Sequence, residues 1–147
     1  MAGAAIAFCI FTSFILLGGI SGQLLCSDGG QMRPMLLPDI PFQQRTCREG
    51  QKCMRGKTAV EFLAPPPYNV QSEITAATCM DAAACEPNRN CTDVVGEAID
   101  EFGSRTGLRK EFLVVLSCDY VCCASNNCNN ATIGEIRATQ ATSMTAP

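Results

Sequence analysis

Residues 122–129 read CCASNNCN: two adjacent cysteines, four residues, a third cysteine and an asparagine. The adjacent pair, Cys122 and Cys123, is poorly placed to bond to itself. Consecutive Cα atoms lie about 3.8 Å apart across a trans peptide, whereas a relaxed disulfide wants roughly 4.4–6.8 Å. In a strand, successive side chains also point to opposite faces. The two cysteines must therefore look for different partners. Cys128 is the nearest candidate for Cys123, closing a tight loop over Ala124 to Asn127, and Cys122 must reach back to an earlier part of the chain.

Working outward, the chain has 147 residues, which suggests one domain, and eleven cysteines. It opens MAGAAIAFCIFTSFILLGGISG, an uncharged apolar run ending in small residues. That is the pattern of a secretory signal peptide over residues 1–22, with cleavage near Ser21 or Gly22. The alternative is an uncleaved anchor, because the run from Ala2 to Ile20 is almost long enough to span a bilayer. Removing Cys9 with the signal leaves ten cysteines, an even number, as expected of a secreted disulfide scaffold.

Composition excludes other classes. There is no histidine, which weakens both a zinc site and cysteine-based catalysis. Asp100 and Glu101 are neighbours on an expected helix and would face different ways, so no acid–base pair stands out. The net charge is −3 with no basic stripe, which argues against nucleic acid. No enzyme, cofactor, metal or small-molecule substrate is expected. With no tryptophan and thinly spread apolar residues, the core is expected to be small and cross-links to carry much of the stability, at roughly 2–4 kcal/mol each.

The stretch TCREGQKCMRGKTAV at 46–60, the CCASNNCN ending and an LLC at 24–26 together resemble the three-finger superfamily, which contains the lymphocyte-antigen/urokinase-receptor domains and the snake α-neurotoxins. The resemblance covers about Leu24 to Asn129. It implies a small, disulfide-rich, mostly β domain over residues 23–130. By position it implies bonds from Cys26 to Cys53, Cys47 to Cys79, Cys85 to Cys122 and Cys123 to Cys128. Cys91 and Cys118 are left to pair within the third finger, although the family supplies no pattern for that bridge. A swap among Cys85, Cys91, Cys118 and Cys122 stays open. The extra first-finger bridge of many relatives is missing here. Asn129 is expected to satisfy backbone groups where finger roots converge, since its side chain both donates and accepts.

The fingers read as follows. Finger one, Cys26 to Cys47, holds Gly29, Gly30, Pro34, Pro38 and Pro41, which predicts short strands and an irregular loop. Finger two, Cys53 to Cys79, alternates along residues 57–64 and 70–77, as half-buried strands do. Its tip, Pro65, Pro66, Pro67, Tyr68 and Asn69, cannot continue a sheet. The tip is the expected partner contact, weighed against a plain solvated turn that blocks edge pairing. Finger three carries a helical insertion: Val94, Val95, Ala98, Ile99 and Phe102 fall on one face, with Thr92 or Asp93 as a cap and Gly103 as a stop. The run LRKEFLVVLSCDYVCC at 108–123 then reads as one long strand.

Two glycosylation sequons begin at Asn90 and Asn130. Residues 131–147 are small, polar and Thr-rich without periodicity, which predicts a flexible tail. They carry no apolar signal for a lipid anchor. The expected function is a secreted, non-enzymatic binding protein presenting loop tips to an extracellular protein such as a receptor, channel or gamete protein. A venom-like channel toxin is one alternative, disfavoured because finger two lacks a cationic tip. A membrane-attached surface protein of the lymphocyte-antigen type is the other. A membrane enters only through an uncleaved first segment or an anchor beyond the residues given.

Overall fold

Alternation along the chain sets up the strands. Every second residue of the segment 54–60 is buried, namely Met54, Gly56, Thr58 and Val60, and so are Ser72 and Ile74 across from them. The computed structural model describes residues 23–34, 36–63 and 70–144. It contains β1 (Leu25–Arg33), β2 (Ile40–Thr46), β3 (Gln51–Phe62), β4 (Gln71–Asp81), α1 (Cys91–Thr106), β5 (Leu113–Cys123) and α2 (Ile133–Met144). The strands form one antiparallel sheet in the order β2-β1-β4-β3-β5. The signal-peptide reading of residues 1–22 lies outside the described residues.

The protein is therefore a small, disulfide-rich, mostly β molecule with two helices. The close pairs are Cys26–Cys53, Cys47–Cys79, Cys85–Cys122, Cys91–Cys118 and Cys123–Cys128. Their Cα separations run from 5.3 to 6.1 Å, inside the relaxed range. Cys122 belongs with Met54, Met80 and Val94 on the helix side of the sheet. Cys123 packs with Cys26, Cys53 and Val121 on the other side. Opposite faces thus explain why two neighbouring cysteines serve different bonds.

Helix α1 lies on the sheet through Val95, Ala98, Ile99 and Phe102, over Met54, Gly56, Thr58, Ile74 and Ala76. Val94, Val95, Ala98, Ile99 and Phe102 are all buried. Burying such a side chain is worth about 1.5–3 kcal/mol, so this face anchors the insertion, and the Cys91–Cys118 bond pins its start to β5. The caps differ from the expected ones. Asn90 caps the start, its side chain accepting from Thr92 N, and Gly107, with φ 80°, ends the helix. Gly103 is buried inside the helix. A Cβ there would lie 2.1 Å from the Leu108 carbonyl oxygen, so glycine lets the returning chain cross the helix.

The segment from Cys26 to Cys47 corrects the expectation of short strands. β1 has nine residues and β2 seven. β1 is held on both sides, by β2 and by β4. A Cβ on Gly29 would meet the Phe42 backbone at 2.8 Å, and one on Gly30 would meet the Phe102 ring at 2.6 Å. The glycines admit close neighbours instead of breaking the strand. Pro41 falls on an edge strand, within the register shift between Ile40 and Gln43, where no ladder donor is needed. The expected long strand at 108–123 starts only at Leu113, after a single 3-10 turn at Lys110–Phe112.

The described part of the Thr-rich segment, residues 131–144, is not the flexible tail that composition suggests. Residues 133–144 form α2. Thr132 and Glu135 make a reciprocal capping box: Thr132 N donates to Glu135 Oε2 at 2.8 Å, and Glu135 N donates to Thr132 Oγ1 at 3.3 Å. Ile136 is buried against the disulfide cluster. Arg137 pairs with Asp119, and Gln140 Nε2 donates to the Cys122 carbonyl at 2.7 Å. Ile136, with the half-buried Ile133 beside it, and polar contacts to β5 hold the helix, too few apolar positions to show a hydrophobic period in advance.

Candidate interaction surfaces

The molecule has three regions of distinct chemistry: a cross-linked end, an apolar tip end, and a sheet face that α1 leaves uncovered.

At the cross-linked end the CCASNNCN loop fastens the start of β1. Leu25 N donates to Asn126 Oδ1 at 2.9 Å, and Asn127 N, from a left-handed residue, donates to the Leu25 carbonyl at 2.6 Å. Asn129 is fully buried and joins two strands. Its Oδ1 accepts from Ser27 N at 2.8 Å, while Nδ2 donates to the Ser27 carbonyl at 2.9 Å and the Met54 carbonyl at 3.0 Å. Such a residue consolidates structure and offers nothing to a ligand. The Sγ atoms of Cys26, Cys47 and Cys79 lie within 4.8 Å of one another. All three are in disulfides, so they offer no thiolate for a metal.

At the opposite end large apolar side chains stand in solvent. Leu63 is 59% exposed, Phe112 55%, Leu116 46%, Leu36 44% and Val114 43%. Leu63 N bonds to the Phe112 carbonyl, and Leu36 and Phe112 line one cleft with Phe62, Val70 and Leu108. The expected contact residues Pro65, Pro66, Pro67, Tyr68 and Asn69 lie outside the described residues, but their flanks, Leu63 and Val70, border this apolar end. The alternation of Leu113 and Val115 (inward) with Val114 and Leu116 (outward) was the available signal for it: four apolar residues in a row cannot all face one core.

The uncovered face carries Arg55, Lys57 and their neighbours. Lys57 pairs with Glu73 at 2.8 Å and Arg33 with Asp39 at 2.7 Å. Arg55 differs. Its guanidinium carbon lies 4.8 Å from the Phe42 ring centroid, and among the described residues it has no carboxylate partner. Burial pulls its pKa below the ordinary arginine value, as expected for a cation that has lost water without gaining an anion. No sequence signal pointed to this pair, because residues 42 and 55 meet only through three intervening strand pairings.

The sequon asparagines Asn90 and Asn130 are both exposed. Asn90 uses only its Oδ1 in capping α1, at 3.1 Å from Thr92 N, which leaves the amide nitrogen that would carry a glycan. Among the described residues no helix is long and apolar enough to cross a membrane. The disulfide-rich scaffold is compatible with an extracellular location. No protein-family model, curated protein or solved structure matches this chain.

Proposed function

We propose that this protein is a secreted, non-enzymatic binding module of the three-finger type, which presents its hairpin tips to an extracellular protein partner. The observation that carries the reading is the division of labour along the sheet. Three disulfides and Asn129 gather at one end, while Leu36, Leu63, Phe112, Val114 and Leu116 stand exposed at the other. Monomeric proteins seldom gather large apolar side chains in solvent unless something binds them. A cross-linked base also holds the tips in place, so little freedom is lost on binding.

The test is capture of a partner on living cells with tagged, secreted protein and cross-linking mass spectrometry. Cross-links are expected at the tip end. The double substitution Leu63→Ser/Phe112→Ser should weaken cell binding by at least about 2 kcal/mol, the range of interface anchors. Tyr68→Ala should act in the same direction. Unchanged binding by correctly folded variants would move the contact surface away from the tips.

A further inference from the structure

The row of strand partners through Arg55 places Val121 on one side and Ala77, then Gly29, on the other. The β2 backbone at Phe42 closes in on Gly29. To bring the guanidinium within 4.8 Å of the Phe42 ring, the Arg55 and Phe42 side chains must between them span Ala77 and Gly29. The two smallest residues make a floor that lets a long side chain lie flat. Stacking on an aromatic ring uses the face of the guanidinium and leaves its in-plane N–H groups for another group. None of those donors has a hydrogen-bond or ionic partner among the described residues.

The surroundings narrow the choice of occupant. Nearby charges are already matched: Lys57 by Glu73, Asp119 by Arg137 and Arg33 by Asp39. A cation with no carboxylate partner among the described residues suits one negative charge. A polyphosphate would bring several charges against Glu73 and Asp119, and the chain's net charge of −3 adds to that repulsion. A planar carboxylate fits a guanidinium fork with two parallel hydrogen bonds. The face is also accessible. α1 packs on the opposite side of the sheet, and α2 borders the row of Arg55 from the β5 side, where Ile136 clusters with Val121 and Cys53 and Arg137 pairs with Asp119, while Arg55 itself stays partly exposed. A glycan on Asn90 would stand at the start of α1, away from Arg55.

We propose that Arg55, held on Phe42, is a receptor for a single aspartate or glutamate side chain of a protein partner lying across the uncovered face of the sheet. This surface is separate from the apolar tips, and its test does not depend on them.

The experiment is a titration of isotope-labelled full-length secreted protein, followed by NMR. The probe is a blocked pentapeptide with one central glutamate, compared with its glutamine twin and with inorganic pyrophosphate. The Arg55 Nε–H and the amides of Gly29 and Ala77 should shift saturably with the glutamate peptide. The glutamine twin should bind about tenfold more weakly, the worth of a charge-assisted pair. Arg55→Met should abolish the shifts while leaving the α1 amides in place. Phe42→Leu, which keeps apolar bulk but removes the ring, should weaken binding several-fold. Equal binding of the glutamine twin, shifts centred on Arg48 or Arg109, tighter binding of pyrophosphate, or no shift at millimolar peptide would each overturn the proposal.

Discussion

Asn129 offers the sharpest test of how the cross-linked end is built. Its side chain satisfies three buried backbone groups on two strands: Ser27 N, the Ser27 carbonyl and the Met54 carbonyl. Asn129→Ala removes the side-chain partner of all three. Each stranded group costs about 1–3 kcal/mol, so a loss of about 3–6 kcal/mol is expected once some relaxation is allowed. Asn129→Asp keeps the volume and the acceptor but removes both donors, and turns a carboxylate toward two carbonyl oxygens. Burial and those oxygens raise the folded-state pKa of the new acid above its unfolded value. The aspartate's penalty is therefore full above the folded pKa and shrinks as pH falls through it, because the neutral acid regains one donor. The measurement is guanidinium-induced unfolding of disulfide-intact protein at neutral and mildly acidic pH. Both variants should lose midpoint at neutral pH, and only the aspartate variant should recover part of the loss on acidification. A loss under about 1 kcal/mol for the alanine variant would show that Asn129 is not bridging the strands, since that is the worth of a single ordinary hydrogen bond.

Two glycines of α1 should respond in opposite directions to alanine in the same assay. Gly96 has open space around it, so Gly96→Ala should add about 0.5–1 kcal/mol through helix propensity. At Gly103 the added methyl meets the Leu108 carbonyl, and Gly103→Ala should cost about 2–3 kcal/mol through overpacking. Among the described residues the buried Ser72 hydroxyl has no partner, so Ser72→Ala should raise the thermal midpoint, with a gain of about 1 kcal/mol; a clear loss would mean that the hydroxyl is bonded. Hydrogen bonds from Arg33 and from Thr132 hold the Asp39 and Glu135 carboxyls below the usual carboxylate range. The stability they contribute is present above the ordinary carboxylate pKa and lost as pH falls through the lowered one. NMR titration should show both midpoints depressed, with Arg33→Gln restoring that of Asp39 alone.

Short-range pattern made much of this architecture readable from the residues. Alternation at 57–64 and 70–77 marks β3 and β4, because one face of a half-buried strand must be apolar. The stripe from Val94 to Phe102 marks α1 for the same reason at helical period. The adjacent Cys122 and Cys123 imply divergent bonds from peptide geometry alone. What depends on partners distant in the sequence was decided by tertiary structure. Gly29 and Gly30 look like strand breakers until Phe42 and Phe102 are brought against them. The Thr-rich segment looks structureless until Ile136, Arg137 and Gln140 find the disulfide cluster and the edge of β5. Arg55 looks like any surface cation until the sheet order carries Phe42 to it across Ala77 and Gly29. Periodicity encodes which face of an element is buried; it does not encode which element arrives to bury it.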